Sequence, residues 1–517
     1  MTLIDFFDRG LSISKGTNCL KEGPLALTYT QVAQWSHQIA WALNASCINR
    51  QSTIATYSPN NIWCYVAMLG IQRAGCIWVP LNARASVADT IAHLNRTGSS
   101  WLFYHTDYRH EIDEFFAQVP TLKGAIAISD AHVPPTHLIN WVDQECLKPF
   151  PLPEHDPSNE IFRITSSGGT TGTPKAIIHS QVGCTTNVAT FLSLYKYTGL
   201  PNYLLCMPMT HSAGSMSFPI LALGGTIHIM AKPDLDIMLE IIERETIHFL
   251  ALTPTSLYTL LARPDIHERD FSSLNYLFIG AAPLSADKLS FALDTFGPII
   301  TQSYGQTEAP TALTCMLPQD YVEIKNTPSL QHRLLSCGRA TPFARIEIMD
   351  SEGNLLPIEE RGEIVVRSGM VMQGYMNDDS LENPKKFGWH HTGDVGYKDS
   401  EGFVYIVDRI RDLIITGGFN VFPADVEQVI LSHPAVQDCA VIGVPDDKWG
   451  ESVKAIVQLK PRHSVSEEQI IELCRAHLGS VKSPKSVDFW SHLPKSAVGK
   501  VLKKEIKSVV LQKLNKT

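Results

Sequence analysis

A few residues in this sequence stand in settings suited to chemistry on an anionic ligand. Residues 166–176 read SSGGTTGTPKA, a glycine- and hydroxyl-rich run closed by Lys175. Glycines let the backbone approach a ligand and turn N–H groups toward it. Hydroxyls add donors and a lysine adds a full charge, and together these suit a polyphosphate. A solvated loop has the same composition, so the run alone supports both readings. Its spacing excludes two devices. A P-loop needs Gly-Lys-Ser/Thr opening a helix, whereas Thr173 and Pro174 precede Lys175 and Ala176 follows it. Proline lacks the N–H and fixes φ. The glycine spacing and the catalytic triplets of a kinase are also absent. The other candidates are His211 in PMTHSAG, Glu308 in QSYGQTE, Asp394 in GWHHTGD and Lys500 in LPKSAVGKVLKKE. Taken singly, each has a plainer reading as a structural histidine, a surface glutamate, an Asx turn or a solvated lysine.

The elements around them are those of layered α/β structure. The run at 166–176 follows a strand-like EIFRIT and precedes a helix-like SQVGCTTNVATFLSLY. Earlier, Val32, Trp35, Ile39 and Leu43 recur at helical spacing, and Gly75 stands where a helix would end. Strand- and helix-like segments alternate through IAISD, YLLCMPM, GGTIHIM, IHFLALT and YLFIGAA, which predicts mainly parallel sheets. After about residue 340 the texture changes to short strands joined by turns such as Glu352-Gly353-Asn354. The charged DRIRD at 408–412 interrupts two apolar segments, and a second helix–strand unit follows. The expected partition is a large domain at 1–408, layered α/β with a small β-rich part, a hinge at 409–412, and a small mobile α+β domain at 413–517.

Composition sets the outer bounds. The chain has 517 residues, 44% hydrophobic, and a net charge of 43 − 52 = −9. This mild acidity argues against a general nucleic-acid binder. Eleven cysteines occur without a CxxC pair or zinc spacing, which reads as reduced thiols of a cytoplasmic protein. The N-terminus lacks a secretory pattern and no apolar run approaches about 20 residues. Peripheral membrane contact stays open, and so does the choice between monomer and homodimer.

The motifs carry a resemblance. SGGTTGTPKA resembles the phosphate loop of the adenylate-forming superfamily, which includes acyl- and aryl-CoA synthetases, with Gly168 at a usual serine position and Ala176 at a usual glycine. The likeness continues in order through PMTHSAG (208–214), GAAPLS (280–285), QSYGQTE (302–308), GWHHTGD (388–394), DRIRDLIITGGFNVFPADVE (408–427) and LPKSAVGKVLKKE (493–505). It implies activation of a carboxylic acid by ATP as an acyl-AMP, then transfer to a thiol.

The same resemblance implies the roles. Ser167, Gly168, Gly169, Thr170, Thr171, Gly172 and Lys175 would hold the phosphates. Gly280, Ala281 and Ala282 would line the adenine, Tyr304 would stack on it, and Gly305 belongs to the same motif. Thr307 would donate to the α-phosphate and Glu308 would hold Mg²⁺. Asp394 and Arg409 would bind the ribose. Lys500 would bridge the attacking carboxylate and the α-phosphate. For the second step the small domain would rotate about Arg411, and the loop with Gly417, Gly418 and Asn420 would line the pantetheine tunnel of coenzyme A. Ile415 stands where many members carry lysine.

His211, Ser212, Gly214, Phe218 and Gly280 are the expected acyl-pocket residues, with His211 gating or lining the tunnel and TEAPTAL closing one end. No acidic residue in these segments is placed to pair an α-amino group, so a fatty or aryl acid fits better than an amino acid. No carrier domain is expected after Lys500, and CoA is the leading acceptor. The alternatives are an acyl-AMP ligase that loads a separate acyl carrier protein, and a nucleotide-binding partner protein without catalysis.

Overall fold

The computed structural model describes residues 1–129, 136–166, 175–280, 282, 284–376, 385–495 and 501–514. Its large part rests on two sheets. The seven-stranded one runs, in spatial order, Gly374–Tyr375, Ala176–Ser180, Ile161–Ser166, Ile77–Leu81, Thr53–Tyr57, Trp101–His105, Gly124–Ile128. The nine-stranded one includes Ala309–Met316, Ile300–Gln306, Tyr276–Ile279, Phe249–Leu252, Asn202–Leu205 and Thr226–Ile229 as successive neighbours. The central strands of both are parallel, as the alternation predicts. The sheet margins depart from that expectation. Ile161–Ser166 pairs antiparallel with Ala176–Ser180, and Ile300–Gln306 pairs antiparallel with Ala309–Met316. The cause is connection length. A parallel return needs a crossover of about a dozen residues or more, and these pairs are joined by nine and two residues. Both connections carry candidate site residues.

Helices between the sheets bury their apolar faces in a core shared by both. In helix Tyr29–Ala45, Val32, Ile39 and Leu43 are fully buried, and Trp35 meets Trp63 edge-on at 5.2 Å. Helix Ile62–Arg73 starts where Asn61 Oδ1 accepts from the Trp63 and Cys64 amides, and Gly75 beyond its end takes φ +69°. A five-stranded antiparallel sheet follows, with Ala344–Met349, Gly362–Ser368, Trp389–Lys398 and Val404–Arg409. A single 3₁₀ turn, Ile410–Asp412, separates its last strand from Ile414–Thr416, which belongs to a different sheet. That last sheet packs against helices Pro423–Leu431 and Glu467–Lys482 around a core of its own, including Ile414, Val426, Val441, Val457 and Ile470. The fold is thus α/β with a small C-terminal unit. Among the described residues no helix is long and apolar enough to cross a membrane.

Candidate active site

The turn Thr307-Glu308 is the two-residue tip of the hairpin formed by Ile300–Gln306 and Ala309–Met316. Gly305 is required just before it, because a Cβ there would lie 2.7 Å from the Thr311 backbone nitrogen. Thr307 is exposed and Glu308 half-buried. One oxygen of Glu308 accepts from the Tyr375 phenol at 3.1 Å. The Tyr375 ring in turn carries the Lys175 ammonium over its face, 4.4 Å from the centroid. Tyr375 reaches this position because Gly374–Tyr375 pairs with Ile177 and Ile178 at the start of the strand that follows Lys175. Lys175 and Glu308, 133 positions apart in sequence, therefore meet through one tyrosine. Ser167, Gly168, Gly169, Thr170, Thr171, Gly172, Ala281 and Lys500 lie outside the described residues.

The second cluster is built on Asp394. It is 4% exposed, and its cross-strand partner is Arg409, whose Nε lies 3.0 Å from Oδ1. The Tyr304 phenol donates to Oδ2 at 2.6 Å. Burial first, and Asp394 second, raise the Tyr304 pKa well above its ordinary value, so the phenol stays a donor. A carboxylate has about four lone-pair sites, and two remain for hydroxyls of a ligand. Gln306 donates to the Thr392 carbonyl at 3.3 Å, tying this cluster to the Glu308 hairpin. The expected stacking residue Tyr304 thus has a structural task as well: it clamps Asp394 and leaves little of its ring uncovered.

His211 precedes the short helix Ser212–Ser215, and its Nδ1 lies 3.0 Å from the Thr210 hydroxyl. His211 is exposed at the surface yet crowded by protein. Burial first, then Arg163 and Arg84, lower its pKa, which keeps it neutral. Gly214 and Gly280 are buried, Ser212 and Ala282 are half-buried, and Phe218 packs edge-on against Phe162 at 6.3 Å. Beyond the 3₁₀ turn with exposed Arg411, Gly417 and Gly418 take φ +56° and +81° at the tip of the hairpin joining Thr416 and Phe419. Both positive angles are what a tight hairpin of this type needs. Asn420 is exposed on the same hairpin. These glycines are therefore explained by the turn itself, whatever passes beside it.

Glu308 fits a hard cation: one of its oxygens has no partner among the described residues, and carboxylate oxygen is the donor Mg²⁺ prefers. No group of three or more His, Cys, Asp or Glu with ligand geometry occurs among the described residues, so phosphate oxygens would complete such a site. Two residues escaped the sequence reading. Tyr375 gave no local signal, since its importance comes from pairing with Ile177, 198 positions earlier. Arg163 was legible as a charge inside the apolar FRIT strand.

The family model described as AMP-binding enzyme matches residues 14–376, and the one for the AMP-binding enzyme C-terminal domain matches 425–500. The chain belongs to the AMP-binding enzyme family. Among its relatives, the medium/long-chain-fatty-acid–CoA ligase FadD8 of Mycobacterium tuberculosis is 35% identical over 500 residues, 94% of this chain and 86% of that protein. The feruloyl-CoA synthase of an Amycolatopsis species is 29% identical, covering 96% and 97% of the two chains. The amide bond synthetase McbA from Marinactinospora thermotolerans superposes with a TM-score of 0.87 at 26% identity, covering 98% of this chain and 99% of that one.

Proposed function

We propose that this protein is an AMP-forming acid–thiol ligase. It joins a carboxylate to the α-phosphorus of ATP, expels pyrophosphate, and passes the acyl group to the thiol of coenzyme A with release of AMP. The observation that carries this reading is the meeting of Lys175, Tyr375 and Glu308 beside the Tyr304–Asp394–Arg409 cluster. Charge spreads over phosphate oxygens as one anion attacks another, so positive charge and fixed geometry are what the reaction needs. Lys175 and the loop before it hold the phosphates, Thr307 donates to the α-phosphate, and Asp394 with Arg409 receives the ribose. Mg²⁺, held by Glu308, would neutralise phosphate charge when bound. Lys500 bridges the acid and the α-phosphate. Rotation about 409–412 then brings the Gly417–Gly418 hairpin of the 413–517 domain to the site. Relatives that are fatty-acid and feruloyl CoA ligases support CoA as the acceptor. The acyl group lies against His211, Ser212 and Phe218.

A panel of carboxylic acids, assayed for AMP release with and without CoA, tests this. The expected result is acid-dependent AMP and, with CoA, a thioester. Thioester formed only on an added acyl carrier protein would move the acceptor. ATP turnover that ignores every acid would contradict the proposal.

A further inference from the structure

Arg163 lies in strand Ile161–Ser166 and is 3% exposed. Arginine stays charged in proteins and carries five N–H donors. Among the described residues no carboxylate pairs with it. Its Nη1 donates to Ser215 Oγ at 3.1 Å, and its Nε has no acceptor. Leaving a buried charge without a partner is strongly destabilising, so the fold keeps this one against its own stability. Among the described residues the surroundings supply no carboxylate counter-charge. Its cross-strand neighbour His179 is buried, and burial followed by Arg163 lowers that histidine's pKa, as it does for His211.

The side chain borders a small cavity together with Cys184, Asn187, Ser215, Phe218 and Pro310. Ser215, Phe218 and Pro310 come from the segments that form the proposed acyl pocket. Pro310 stands two residues past Glu308, at most about 7 Å along the strand. The Asn187 amide is already committed to the Pro310 and Thr311 carbonyls. Arg163 Nε is thus the buried nitrogen on this lining left without an acceptor, with the Ser215 hydroxyl beside it.

Resting on the ligase reading, we propose that Arg163 recognises a second oxygen group on the acid, a carbonyl or carboxylate a few carbons from the reacting carboxyl. Plain alkyl acids would leave the guanidinium unpaired, and sites built to bond a polar group reject analogues that lack it.

Pentanoate, 4-oxopentanoate and glutarate form one test set of equal length, and octanoate with octanedioate forms a second. AMP formation and thioester formation are measured for wild type, Arg163→Met and Arg163→Lys, with unfolding midpoints alongside. Wild type is expected to favour an oxygenated member by about 10²-fold in kcat/KM. Arg163→Met should lose that preference while its rate on the alkyl acid stays within a few-fold, and Arg163→Lys should keep part of it. The ketone and dicarboxylate arms show which oxygen group is read. A wild-type preference for alkyl acids overturns the proposal, even if Arg163→Met does not fold. So does equal loss on both acid types in Arg163→Met, which would make Arg163 a holder of the reacting carboxylate. If acids are activated without selectivity, this inference alone fails; if no acid yields AMP, the ligase reading fails with it.

Discussion

The Asp394 cluster of the large domain and the hairpin face of the C-terminal unit are built on opposite plans. Asp394 and Tyr304 are 4% and 8% exposed and hydrogen-bonded to each other, with Arg409 completing the cluster. On the C-terminal face Ile415, Phe419 and Trp449 are 54%, 62% and 44% exposed, around a glycine hairpin whose Gly417 amide donates to the Trp449 carbonyl. The first region is assembled before any ligand arrives, which removes reorganisation from the reaction. The second leaves large apolar side chains in water, an arrangement typical of a surface that meets another. In the proposed rotation that surface is the large domain. Under the proposed function, a rigid half would grip nucleotide and a moving half would change partners.

The strongest challenge to this contrast comes from inside the moving half. Lys503, at the start of helix Lys503–Leu514, has its ammonium 2.8 Å from Glu427, which also accepts the Val441 amide. Burial opposes the Lys503 charge, but Glu427 and Asp408 outweigh it and raise its pKa. Asp408 accepts the Ala424 amide at 2.7 Å, so the segment before the hinge, the first helix of the unit and its last helix are bound together. Lys503→Met leaves two acids without their cation and should cost about 3–5 kcal/mol in the C-terminal unit. Thermal unfolding and limited proteolysis check this; an unchanged midpoint would show that the unit is not held from this point.

Tyr304→Phe sharpens the other side. It removes one hydrogen bond to a buried carboxylate, worth roughly 1.5–3 kcal/mol. The expected result is an increase of about ten-fold or more in KM for ATP with little change in KM for the acid. Equal changes in both would argue against a preassembled ribose site.

The smallest effect, at pH values just below neutral, is on stability. His93, His228 and His390, all in the large domain, have pKa values lowered to about 4, chiefly by burial. Their ordinary value is 6.5, so protons bind the unfolded chain preferentially. Stability is full above about pH 6.5 and falls as pH drops toward 4, by roughly 1.4 kcal/mol per histidine per pH unit. Unfolding midpoints across this range should fall in wild type and fall less steeply in His390→Asn. A flat profile would contradict the burial argument.

The sequence made the motifs readable because each keeps its chemistry within a short stretch: Gly305 before a tight turn, Gly417-Gly418 at a hairpin tip, Asp394 fifteen positions from Arg409 on the next strand. The parallel centres of the sheets followed from alternation. Contacts that depend on distant pairing were not readable. Tyr375 joins Lys175 to Glu308 only because a two-residue strand lands on Ile177 and Ile178. Lys503 stands among other basic residues such as Lys504 and Lys507, and its two acids lie 76 and 95 positions earlier.

The division of labour is tested most directly at Lys500, with the two half-reactions measured separately. Lys500→Ala should lower acyl-AMP formation by about 10²–10³-fold, while thioester formation from supplied acyl-AMP and CoA stays within about threefold of wild type. An equal loss in both steps would contradict the account, because one amine would then serve a single fixed arrangement of the two domains.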